Sequence, residues 1–116
     1  MDDEYSYIIK NDDSINSRSI TITGYKGRAE KLVIPESIEG IPVTAIGDRA
    51  FSDCTGLTSV ILPASMRYIG KCAFKDCPHL ETITILRKIM VEHNALEGFS
   101  GEIIRWTEWR FMKKNG

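Results

Sequence analysis

Apolar and polar positions alternate in short runs along this chain, and no long helical stripe appears. "YSYIIK" from Tyr5 and "SITITGY" from Ser19 both alternate, with polar "NDDSINSR" between them. That pattern predicts a β-hairpin. Further on, "LTSVIL" from Leu57 and "LETITI" from Leu80 are rich in β-branched and apolar residues, as strands are. Strand geometry sends Leu57, Val60 and Leu62, then Leu80, Ile83 and Ile85, inward. It leaves Thr58, Ser59 and Ile61, then Glu81, Thr82 and Thr84, facing out. Near the C-terminus, "GEIIRW" predicts a last strand and "TEWRFMKKNG" a final turn or short helix.

The two middle strands belong to a repeat. At an offset of 23, Leu57 falls on Leu80, Ile46-Gly47 on Ile69-Gly70, Ala50-Phe51 on Ala73-Phe74, Asp53 on Asp76 and Cys54 on Cys77. A looser third copy, "VEHNALEGF", puts Ala95 and Leu96 under Ala73 and Phe74 at an offset of 22. Upstream, "LVIPESI" at Leu32 echoes "VILPASM" at Val60, with about five residues, "EGIPV", inserted before the next isoleucine.

One unit cannot bury its own apolar side, whereas stacked units can. The pattern therefore predicts an α/β solenoid: a short parallel sheet on one face, short helical turns and loops on the other. Pro63 ends its strand because it lacks an N–H. Gly70 marks a turn with close approach or positive φ, and Asp48 is placed to cap a helical turn carrying Ala50 and Phe51. A single domain spans 1–116, with a hairpin cap over 1–28, repeats over 29–99 and a C-terminal cap over 100–116. Trp106 and Trp109, three apart, share a helix face, either as a lid over the last unit or as an aromatic anchor for a partner.

The segment "LVIPESIEGIPVTAIGDRAFSDCTGLTSVILPASMRYIGKCAFKDCPHLETITI", Leu32 to Ile85, resembles the BspA-like, or Treponema-type, leucine-rich repeats. The insertion "EGIPVTAIG" and the lead-in "ITGYKG" resemble that family's opening repeat. The C-terminal unit departs from it: Leu86 stands where Pro63 stood, Glu92 replaces the glycine and Phe99 the cysteine. The resemblance implies a leucine-rich-repeat fold and a bacterial, phage or protist origin. It also implies adhesion to host or matrix proteins, and co-aggregation.

Composition narrows the chemistry. The net charge is −1, with 15 basic against 16 acidic residues, and the cations look scattered apart from "RFMKK". No nucleic-acid partner is expected. The longest apolar run is too short to span a bilayer, and acidic "MDDEYSYIIK" shows no signal peptide. That leaves a cytoplasmic location if the chain is full length and a cell-surface or secreted one if it is trimmed. Three cysteines argue against a disulfide framework. Cys54 and Cys77 share one slot of successive units and read as core thiols, while Cys72, opposite Arg49, reads as exposed. A zinc site from Cys54, Cys72, Cys77 and His79 lacks a second ligand pair. No nucleophile motif accompanies His79 or His93, and no calcium loop follows the acidic runs. The expectation is a non-enzyme with no cofactor.

What remains is surface. Taking Glu30, Lys31 and Val33 as the outward residues of the first unit, stacking predicts three rows: Glu30–Thr58–Glu81, Lys31–Ser59–Thr82 and Val33–Ile61–Thr84. This face, with Trp106 and Trp109, is the candidate protein-binding surface. A small intracellular effector or inhibitor that blocks an enzyme or complex is the alternative.

Overall fold

The computed structural model describes residues 5–105. The hairpin comes first: β1 (Tyr5–Asp12) pairs antiparallel with β2 (Ser17–Tyr25). From there the chain winds as a coil and lays strands alternately into two sheets. The first sheet runs β1, β2, β5 (Ile41–Ile46), β7 (Tyr68–Ile69), β9 (Met90–Val91), and along that order every pairing after the hairpin is parallel. The second is parallel throughout, in the order β3 (Lys31–Val33), β6 (Ser59–Ile61), β8 (Thr82–Ile85), β10 (Glu102–Arg105). Each strand is short because the coil must turn a corner after it. Pro35 and Pro63 follow the three-residue β3 and β6; β8, with Leu86 in place of proline, runs to four residues.

The inserted residues "EGIPV" explain themselves. Ser37–Ile38, β4, pairs antiparallel with the start of β5 through a two-residue turn at Glu39 and Gly40, whose φ angles are 55° and 79°. Two positive φ values in succession suit the twist of a tight hairpin. Tyr7 donates a hydrogen bond to the Glu39 carboxylate at 2.7 Å, tying this small hairpin to the larger one.

The third side of the coil corrects one expectation. Among the described residues there is no helix, so the helical turns assigned to Ala50 and Phe51 are absent. Arg49 and Asp53 in one unit, and Cys72 and Asp76 in the next, have φ between 56° and 62°. A left-handed residue every fourth position breaks a right-handed helix. Backbone N–H groups of this segment bond across units: Arg49 to the Lys71 carbonyl, Phe51 to Ala73, Asp53 to Lys75, and Phe74 to Ala95, at 2.8 to 2.9 Å. Asp48 therefore caps no helix of its own; its carboxylate accepts the Lys71 N–H of the following unit at 2.9 Å. Gly70 is needed for closeness, since a Cβ there would lie 2.5 Å from Asp48 Oδ1 and 2.9 Å from its backbone nitrogen.

The core fills the space between the three sides. Ile22, Ile46 and Ile69 stack from the first sheet, Leu32, Val60 and Ile83 from the second, and all six are buried. Under the turns runs an aromatic column, Tyr5–Tyr25–Phe51–Phe74, with ring centroids 5.2 to 5.4 Å apart. The hairpin thus contributes the first two rings of a stack that the repeats continue.

Candidate functional site

The second sheet builds the candidate face from simple alternation. In β6, Val60 is buried while Ser59 and Ile61 on either side of it point the other way. Registers match across all strands, so equivalent residues form ladders about 4.8 Å apart. Lys31, Ser59 and Thr82 line up, and so do Val33, Ile61 and Thr84. Val33 is 65% exposed and Ile61 39%. Thr84 beside them is half-buried.

The row Glu30–Thr58–Glu81 holds together through the backbone. The Glu30 carbonyl accepts the N–H groups of Thr58 and Ser59 and the Thr58 hydroxyl, the last at 2.9 Å. Thr58 in turn accepts the Glu81 N–H at 2.8 Å. The Thr58 hydroxyl is therefore occupied in closing the corner, which leaves the exposed Glu30 and Glu81 as the groups of this row open to a partner. Trp106 and Trp109 lie outside the described residues.

A fourth strand widens the face beyond the sequence reading. β10 pairs with β8 in register, adding Glu102 to the Lys31–Ser59–Thr82 ladder and Ile104 to the Val33–Ile61–Thr84 ladder. The signal was present in the alternation of "GEIIRW", but Thr82 to Glu102 is a step of 20, not 23, so the repeat offset missed its register. Gly101 makes the shortened step possible: a Cβ there would overlap the Glu81 carbonyl. The finished face has an apolar central ladder, hydroxyls beside it, and opposite charges at its two ends, Lys31 and Glu102.

The cysteines lie on another side. Cys54 and Cys77 occupy equivalent slots of successive coils, but only Cys77 is a buried core thiol, with Sγ 3.1 Å from the Phe51 carbonyl as donor; Cys54 is half-buried. Interaction between the two thiols, with burial adding to it, pushes the Cys54 thiol well above the ordinary range; the same interaction lowers that of Cys77, against the opposing effect of burial. Cys72 is a correction: it is 6% exposed, not open to solvent. Its slot lies close under the neighbouring unit, where the long Arg49 side chain reaches past to water and a short thiol is covered. All three thiols are free. Among the described residues no three metal-ligating side chains converge, and neither His79 nor His93 hydrogen-bonds to a thiol or hydroxyl.

Comparison with known proteins agrees with this geometry. The family model for the BspA type leucine rich repeat region matches residues 24–101. The chain is similar to the leucine rich repeat protein of T. pallidum, with 30% identity and a TM-score of 0.59 over 72% of this chain and 42% of that one. It is also similar to a leucine rich cell surface protein of Faecalibacterium prausnitzii, with 29% identity and a TM-score of 0.61 over 89% of this chain and 26% of that one. The chain thus spans less than half the length of either protein. No curated protein sequence matches it.

Proposed function

The chain belongs to the BspA-type leucine-rich repeat family, and from that premise we propose that it is a non-enzymatic protein-binding module that serves adhesion through the outer face of its second sheet. The observation that carries this reading is the Val33–Ile61–Thr84–Ile104 ladder. Two β-branched hydrophobes stand open side by side on β3 and β6 of a parallel sheet, where burial by a partner gains apolar contact on backbone already held in a ladder. Lys31 and Glu102 at opposite ends give a partner a direction in which to lie. The likeness to a bacterial cell surface protein supports the adhesive role.

The test is binding of the purified chain to immobilised matrix proteins and to whole bacterial cells. The double substitution Val33→Asp with Ile61→Arg changes exposed side chains and is expected to leave the melting temperature within a few degrees of the parent. It is expected to weaken binding at least about tenfold. Unchanged binding by the folded double variant would assign the partner to another surface.

A further inference from the structure

A second surface lies where each coil turns from the second sheet into the first. The structure gathers there cations that are far apart in sequence. Lys10 and Arg18 come from the hairpin, Arg67 from the approach to β7, and Arg87 and Lys88 from the approach to β9. Arg67 borders two adjoining hollows. One, of about 760 Å³, is shared with Lys10 and Arg18; the other, of about 400 Å³, with Arg87 and Lys88. The backbone fixes Arg67 between them: its N–H donates to the Thr44 carbonyl at 2.7 Å, and its carbonyl accepts the Met90 N–H at 2.9 Å. Arg87 reaches back to the Ala64 carbonyl at 3.4 Å along the same line.

These five cations are only partly offset locally. Among the described residues none of them forms an ion pair. Two carboxylates line the groove, Asp12 and Asp13. Asp12 is already engaged by the Ser14 hydroxyl at 2.6 Å and the Ser14 N–H at 3.1 Å, bonds that hold its carboxyl below the usual range. Those bonds keep Asp12 charged, so the five cations outnumber the lining carboxylates five to two, in a chain of net charge −1. The groove is also flanked by apolar side chains, with Ile15 67% exposed at one end and Met90 66% exposed at the other.

We infer that this groove binds an acidic polypeptide segment that also carries apolar side chains. Clustered unpaired cations attract carboxylates and raise the encounter rate. Exposed Ile15 and Met90 find matching contacts on a peptide; a sulfated sugar chain would leave them uncovered. The groove uses none of the residues of the adhesive face, so either reading stands or falls without the other.

The experiment measures binding of a fluorescent ten-residue peptide alternating glutamate with leucine and phenylalanine. Two competing probes are polyglutamate of equal charge and heparin. The groove predicts that the mixed peptide binds more tightly than either competitor, and that 0.5 M salt weakens it. Arg67→Glu is expected to lower affinity about tenfold. Lys88→Glu, at an exposed position, gives the same direction should Arg67→Glu disturb folding by circular dichroism. Lys26→Glu, elsewhere on the surface with the same change in net charge, should leave affinity unaltered. Equal loss with Lys26→Glu, no loss with Arg67→Glu and Lys88→Glu, or tighter binding of heparin than of the peptide would each overturn the inference.

Discussion

Asp76 shows how much structure one repeated residue carries. Asp53, Asp76 and Gly98 occupy one slot in three successive units, and all are left-handed, with φ of 62°, 61° and 87°. Aspartate tolerates that conformation better than most residues and glycine best of all. Asp76→Gly is therefore expected to leave stability unchanged or slightly raised. Asp76→Val, at the same exposed site, should cost about 1–2 kcal/mol. Chemical denaturation of the two variants side by side checks this; equal stability would mean that backbone strain does not select the residue. The repeat of Asp53 on Asp76 was visible in the sequence. Its cause was not, because backbone handedness is no property of a residue type alone. Cys72 failed for a related reason: its exposure was read from its counterpart Arg49, and equivalent slots shelter side chains of different length differently.

At the scale of the element, adjacent coils are joined by backbone ladders and by a few side-chain bonds between neighbours. Tyr68 of β7 donates to the Glu92 carboxylate, just past β9, at 3.0 Å. Accepting that proton, with burial and the negative charge of Glu92 adding to it, raises the tyrosine above its ordinary value near 10. The sign follows directly. A raised folded-state value means that the bond's stabilisation is complete below the unfolded value and is lost as pH climbs through the folded one. Titration of tyrosine absorbance should show one group ionising late, and Glu92→Ala should bring it back; a titration unaffected by that change would remove the bond from the account. The strands of the repeats were readable from β-branched alternation. The turn segments were not, because Ala50 and Phe51 suit a helix as well as a bend, and only bonding to the next coil decides between them.

For the whole molecule, stacking makes stability a matter of neighbours and ends. The hairpin contributes Tyr5 and Tyr25 to the aromatic column and pairs β2 with β5. Deleting residues 1–28 would uncover Ile46 and Phe51, both fully buried, and leave the β5 edge unpaired. The shortened chain is expected to melt well below the parent, or to aggregate, as read by circular dichroism and size-exclusion chromatography. Retention of the parent melting temperature would show that the hairpin does not act as a cap.

The sequence by itself determined the coil, its 23-residue period, which residues of each strand face the core, and the Lys31–Ser59–Thr82 and Val33–Ile61–Thr84 ladders. Those follow from periodicity, because a stacked unit must present the same apolar positions each time. Only the tertiary structure decided that the third side is built of left-handed bends, that β10 joins the face after a shortened step, and that Lys10, Arg18, Arg87 and Lys88 line two hollows that meet at Arg67. These depend on where different coils come to lie against one another. Charge and spacing along a chain do not record that until the coil is wound.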